Sequence, residues 1–433
     1  MLAKDSRTSW IAVIVLGVAI GIGYIDRVVL SVAIPAISKE YNFGPDVSGL
    51  LLAAFSWSYF IALVPAGLLI DRYGPKVVLS VGYILWSLAC VLTGFAPSLA
   101  MLLVCRVALG VGEAPLYPCG ASLAEAGFSE HNRGLASAVY SEGAKIGPAI
   151  GAPLAAGLLA FMGWREMFMW VGAGLLIWLP LWLFCVPDLK SARSSSRSTQ
   201  DKVGWYELLK QRNILGMMLG NFGYLYAFWV YLTWLPSYLI QARGYGLVSA
   251  GLFTSLPFTI FVVVSLISGY VADRLIRSGN SATLVRKSFI GAGLFLATAI
   301  IPAVLVQSDS AAAVLFCVSL LGMGISVPNS LAVPAGIAPV GRGAMPGSLS
   351  QLAGNFGGAI APIITGVLLA HGGSFTSGMM LAGGMLFLAL FGFLVVLKDI
   401  QPIEMGQRKT SGTRSDEVGA GGGLPAQTTQ LHP

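Results

Sequence analysis

Charge is scarce in this 433-residue chain: Asp, Glu, Lys and Arg supply 10% of it, against about 25% in soluble domains. The apolar set AVILMFWYC supplies 56%. So little polar surface cannot cover so much apolar volume in water, which excludes a water-soluble enzyme as well as disordered and fibrous chains. Histidine and cysteine are sparse too, three and five residues. His131 and His371 stand at loop ends and His432 in the tail. Cys90, Cys105, Cys119, Cys185 and Cys317 lie inside apolar runs with no CxxC pair, so they read as small buried hydrophobes. No spacing resembles a metal site, and neither metal nor cofactor is expected. A GxxxxGK[ST] phosphate loop and an HExxH pair are both absent, which excludes ATP hydrolysis and zinc proteolysis. What remains is a polytopic helical membrane protein.

Apolar runs fall at 10–37, 47–70, 77–95, 98–124, 134–161 and 166–186, then at 214–240, 248–271, 287–306, 311–338, 344–370 and 375–397. Each is about the twenty residues that cross a bilayer, so the expectation is an all-α membrane protein with twelve transmembrane helices. The first run is too long for a signal-peptide core and is expected to be retained. Residues 1–187 form a first six-helix bundle and 213–400 a second. Between them, 188–212 reads as a cytosolic linker, flexible through SARSSSRSTQDK and amphipathic through WYELLKQR. The Gly- and Ser-rich stretch 401–433 reads as a disordered cytosolic tail.

Basic residues set the orientation. Of 26 Lys and Arg, only Lys39, Arg165 and Arg243 fall in outer segments, while Arg27, Arg106 and Lys145 fall within spans. Every other one falls in inner segments, which puts both termini in the cytosol. The net charge of +7 then follows from topology, with no nucleic-acid partner. The expected protein is a monomer spanning the cytoplasmic (inner) membrane.

Gly67-Leu-Leu-Ile-Asp71-Arg72 ends the second span, and Gly269-Tyr-Val-Ala-Asp273-Arg274 ends the eighth. A fainter echo pairs Ala149-Ile-Gly-Ala-Pro153 with Ala359-Ile-Ala-Pro362. Repetition at a six-span offset means two parallel halves. Each Gly lets a neighbouring helix come close, and each Asp and Arg can pair across helix ends, forming a latch that holds one side shut.

The loop GLLIDRYGPK resembles the signature of the major facilitator superfamily, and the twelve-span outline extends that resemblance to about residue 400. Within the superfamily the chain is similar to the anion:cation symporter family of organic-carboxylate carriers. That similarity rests on Tyr24-Ile-Asp26-Arg27, on Arg106 with Gly110 and Glu113-Ala-Pro115, on Trp234-Leu-Pro236-Ser-Tyr238, and on Gly354-Asn355-Phe-Gly357-Gly358. The resemblance implies the major facilitator fold and alternating access. It implies that Arg27 and Arg106 hold a substrate carboxylate while Asp26 and Glu113 carry protons. It further implies that Tyr24, Tyr59 and Asn355 touch the substrate. Leu331, Gly336 and Ala144 stand where many relatives have aromatic or polar residues, which favours a plainer or aromatic carboxylate over a polyhydroxy acid.

The residues support this independently. Asp26, Arg27, Arg106, Glu113, Glu142 and Lys145 are ionisable side chains within spans. Each costs at least about 2.5–3.5 kcal/mol at the helix centre, so such residues commonly face an aqueous cavity and carry function. Arg106 and Glu113 are two turns apart on one helix face, an anion clamp and a proton carrier lining one chamber. Protonating Glu113 would then free Arg106 for the anion. Asp26 and Arg27 point about 100° apart, so one of the two faces that chamber. Glu142 and Lys145 are helix neighbours that either pair together or lend Lys145 to the substrate. The expected function is proton-coupled uptake of a small organic anion. An efflux antiporter and a sodium-coupled carrier stay open at this point.

Overall fold

The computed structural model describes residues 4–129, 132–187, 208–338 and 344–403. The flexible part of the expected linker, the tail from 404 onward, His131 and His432 lie outside the described residues. The first half comprises α1 (Arg7–Tyr41), α2 (Pro45–Tyr73), α3 (Pro75–Gly94), α4 (Leu99–Glu113), α5 (Leu116–Gly127), α6 (Arg133–Ser141), α7 (Gly143–Leu175) and α8 (Trp178–Cys185). The second comprises α9 (Arg212–Gln241), α10 (Leu247–Arg277), α11 (Ala282–Ala297), α12 (Ile300–Leu305), α13 (Asp309–Ile337), α14 (Ala344–Ala370) and α15 (Phe375–Leu390), the last extended by a π-turn segment over Phe391–Val396. Ser6, Ser98, Ser281 and Ser308 cap helix starts with their hydroxyls, and Pro45 and Pro75 occupy first-turn positions that need no N–H donor.

Among the described residues, eleven helical stretches are long and apolar enough to cross a membrane. The difference from twelve lies in one of them, Arg133–Cys185, which runs 53 residues and contains two of the expected spans. It is interrupted at Gly163, whose φ of 84° and ψ of 170° are not helical. Only a residue without Cβ takes that geometry cheaply.

The two halves repeat the same packing. Helix α1 packs most heavily on α7, and α9 on α14. The halves then meet crosswise, α2 against α14 and α7 against α10. Near Gly49 the α2–α14 approach is so close that a Cβ there would lie 2.5 Å from the Pro362 carbonyl oxygen. A Cβ on Gly366 would likewise meet the Pro45 oxygen at 2.5 Å. Gly251 of α10 sits equally tightly on Ala152 and Ala156 of α7. These contacts lie at the end that carries few basic residues. At the basic-rich end of α2 the picture reverses: a Cβ on Gly67 would meet nothing within 4 Å, and Val64 and Leu68 are exposed. The molecule is sealed at the Gly49 end of α2, and α2 stands parted from its neighbours at Gly67.

Candidate functional site

Helix α4 is wedged between its neighbours by glycine. A Cβ on Gly110 would lie 2.5 Å from the Phe55 carbonyl oxygen and 2.9 Å from the Tyr59 nitrogen of α2. On the adjoining face, one on Gly112 would lie 2.6 Å from the Gly82 oxygen of α3. Direct backbone contact thus brings the rings of α2 and the polar groups of α3 up to the charges of α4. At Ala114–Pro115 the helix is interrupted before α5 begins.

Glu113, fully buried, accepts a hydrogen bond at 2.7 Å through Oε2 from Nη2 of Arg27. The Arg27 guanidinium lies 4.1 Å from the ring centroid of Tyr24, 4.6 Å from Phe55, 5.7 Å from Tyr59 and 5.6 Å from Trp229. Trp229 belongs to the second half, so Arg27 stands at the boundary between the halves. Desolvated cation–π contacts contribute up to about 2 kcal/mol, and they hold the planar fork with one edge on Glu113.

Asp26 points the other way, into the first half. It is fully buried, and its Oδ1 accepts from the Cys90 thiol of α3 at 3.3 Å. Arg106 is 2% exposed and donates from Nη2 to Thr93 Oγ1 at 3.1 Å. Its guanidinium packs 5.3 Å from the Phe168 ring centroid of α7. The expectation that Arg106 and Glu113 line one chamber is therefore corrected. Glu113 reaches α1, whereas Arg106 is walled in among α3 and α7. Seven residues at 100° each fall about 20° short of two turns, and wedging of α4 gives each long side chain a different neighbour. Glu113 also pairs with Arg27 rather than Arg106. The charges of Asp26, Arg27 and Arg106 nevertheless all act on Glu113, making one cluster.

The remaining expected residues divide. Lys145 pairs with Glu142 at 2.5 Å, both partly exposed. Tyr59 flanks Arg27 as described. Asn355 is half-buried on α14, beside Phe356, whose ring meets Trp57 of α2 across the halves at 6.1 Å. In the latch motif, Asp71 and Arg72 are exposed, with no ion pair among the described residues, so the expected closing pair is not formed at this parted end. In the second copy Gly269 faces Pro328, and Asp273 pairs with Arg286 of α11 at 3.1 Å rather than with Arg274. Phe55, Thr93 and Phe168 escaped the sequence reading, which took Cys90 only for a small hydrophobe. An apolar or small residue beside a buried charge leaves no periodic signal.

The Major Facilitator Superfamily model matches residues 16–342. The chain belongs to the major facilitator superfamily. It is a transporter of that superfamily and not an enzyme. It is related to carriers of the anion:cation symporter family. It is 32% identical over 400 residues to a probable L-galactonate transporter of Escherichia coli (strain K12), covering 88% of this chain and 87% of that protein. It is also 32% identical over 385 residues to a probable sulfoacetate transporter of Cupriavidus necator, covering 84% and 88% respectively. Its fold matches a bacterial homolog of the human lysosomal transporter Spinster, in an inward-facing and unoccupied conformation, with a TM-score of 0.77 and 17% identity. The match covers 91% of this chain and 98% of that one.

Proposed function

We propose that this major facilitator carries a small organic anion, a sugar acid or related organic or aromatic carboxylate, into the cell by proton symport. In this reading the chain has twelve spans, the break at Gly163 dividing Arg133–Cys185 in two. Both ends lie in the cytosol, and the parted end opens inward. The observation that carries the reading is the 2.7 Å pair between Glu113 and Arg27 at the boundary of the halves. A carboxylate held there internally occupies the group that an incoming anion needs. Protonating Glu113 removes its charge and frees the guanidinium, whose planar fork fits a substrate carboxylate. Proton and anion then bind with positive coupling, and deprotonation restores the internal pair as the anion leaves. Relatives named as transporters of galactonate and sulfoacetate support an anionic cargo. Asp26 is the second proton carrier in this scheme, and Arg106 becomes its counter-charge rather than a substrate clamp.

Proteoliposomes test this, with a ligand chosen by thermal shift from sugar acids, sulfoacetate and aromatic acids. Glu113→Gln, which mimics the protonated form, should keep counterflow exchange and lose uphill uptake driven by an inward proton gradient. Proton-driven accumulation that survives in this variant overturns the assignment, and accumulation that follows sodium at fixed pH overturns proton coupling altogether.

A further inference from the structure

Behind the Arg27–Glu113 pair, α3 presents a stripe of polar side chains to the interior of the first half. Tyr83, Ser87, Cys90 and Thr93 recur at three- and four-residue spacing, and all are 0% exposed. Thr93 receives Arg106, and Cys90 donates to Asp26. The same thiol lies 3.6 Å from the carbonyl oxygen of Phe168, the residue whose ring packs on Arg106. Asp26 Oδ2 and Arg106 Nε are buried and have no hydrogen-bond partner among the described residues. The thiol is thus the polar contact through which α3 touches the Asp26 carboxylate, and a cysteine first read as a plain hydrophobe has a carboxylate for a neighbour.

We infer that Cys90 is a positioning residue for Asp26, its S–H choosing between the ionised carboxylate and the Phe168 carbonyl as Asp26 gains and loses a proton. When Asp26 is ionised, its oxygen is the better acceptor and the thiol turns to it. When Asp26 is protonated, the carboxyl becomes a competing donor and the thiol turns to Phe168 on α7. No bond is made or broken at sulfur; only the hydrogen-bond partner changes. The charge state of α1 is thereby passed to α7, the helix that meets α10 across the halves. Other ionisable groups whose charge reaches this pair are Tyr83 from α3 and Glu113 and Arg106 from α4, and Arg27 is next to Asp26 on α1 although it points away. The contribution of Cys90 must be separated from all four. The inference rests on the reading of Asp26 as a proton carrier.

Infrared difference spectroscopy of the purified full-length protein in lipid nanodiscs, titrated without substrate, separates them. The carboxyl band lost in Asp26→Asn marks the titration of Asp26. An S–H donor favours the ionised form, so Cys90→Ala should move that band's midpoint up by about half a pH unit, and Cys90→Ser should return it. The S–H stretching band lost in Cys90→Ala should itself shift across the same midpoint in the unmodified protein. An Asp26 band whose midpoint is unmoved in Cys90→Ala, or an S–H band indifferent to pH, overturns the role of Cys90 and leaves Asp26 as a proton carrier. An Asp26 that does not titrate at all between about pH 4 and pH 10 overturns both. That range brackets carboxyls in water and those shifted strongly by burial.

Discussion

The two halves share a packing plan and differ in what they bury. In each, the sealed end is tied by an arginine to helix-end carbonyls. Arg165 donates to the Gly94 and Ala96 oxygens while pairing with Glu40 at 2.6 Å. Arg243 donates to the Ala303, Val306 and Gln307 oxygens and pairs with Asp309 at 3.3 Å. At mid-depth the symmetry ends. The first half buries Asp26, Arg106 and Glu113, and among the described residues every charged side chain with an unpartnered buried atom belongs to it. The second half buries neutral amides and hydroxyls, several of them hydrogen-bonded, although Tyr224, Tyr226, Ser237, Asn329 and Thr365 each keep one buried polar atom without a partner among the described residues. Asn329 donates to Ser268 and the Ile325 oxygen, Asn221 to the Ser350 oxygen, and Tyr231 to Ser319. Neutral hydrogen bonds of this kind fix packing. A charged cluster with spare valences instead stores binding and protonation capacity at the cost of stability. Buried charge is thus confined to one half, and the other meets it with neutral side chains.

Substitution on either side of Arg27 would break this contrast most severely. Arg27→Ala removes the proposed anion contact and leaves Glu113 buried without its partner. A loss of that kind costs about 2–5 kcal/mol, so counterflow of the chosen ligand should fall at least about 30-fold. Trp229→Ala, across the boundary, deletes a ring that only orients the guanidinium. It should cost less, about tenfold, since it is one of four rings around the guanidinium and a desolvated cation–π contact contributes up to about 2 kcal/mol. Equal losses in the two variants, measured in the same liposomes, would mean that the second half also carries binding energy.

Much of this was legible in the sequence, for identifiable reasons. Hydropathy locates spans because lipid demands continuous apolar helices, and the run limits fall close to helix limits, with the kink at Gly163 lying between the runs 134–161 and 166–186. The 100° between Asp26 and Arg27 required them to part, and they do, one to α3 and the other to the boundary. The neighbours of Arg106 were not legible. Spacing along α4 fixes which residues share a face, but Gly110 and Gly112 decide which helix that face meets, through contacts with α2 and α3. The latch pair is absent for a different reason. Its Asp71 and Arg72 lie at the parted end, and a pairing that exists in one conformation leaves no contact in another.

The seal itself gives a second, smaller test. Gly366 meets the Pro45 carbonyl and the Gly49 backbone, so Gly366→Val cannot keep the α2–α14 approach. The substitution should tilt the population toward a form parted at the sealed end. A tenfold shift corresponds to about 1.4 kcal/mol, well within the cost of overpacking. A cysteine introduced at Ser48, buried beside Gly49 in the sealed form, should then react about tenfold faster with a membrane-impermeant thiol reagent added outside. Gly67→Ala, at the open end, should leave that rate unchanged. A rate that responds equally to both would mean the two ends are not distinct in the resting protein.

The smallest effect is expected at the repeated GxxxDR motif, where the acid is paired in the second half and has no ion pair among the described residues in the first. Asp273 holds Arg286 at 3.1 Å with the carboxylate side chain 54% exposed, so water and salt screen most of the attraction. Exposed pairs of this kind are worth about 0–1 kcal/mol. Asp273→Asn should therefore lower thermal stability by a degree or two at low salt, about what such an energy produces in a large domain, and by less in molar salt. Asp71→Asn removes a charge with no ion pair among the described residues, and should leave thermal stability unchanged while altering transport, because its proposed partner forms only when the inner end closes. Thermal melts of both variants in the same detergent distinguish these outcomes. An Asp71→Asn melt lowered as far as that of Asp273→Asn would show that the first copy is already latched in the resting state.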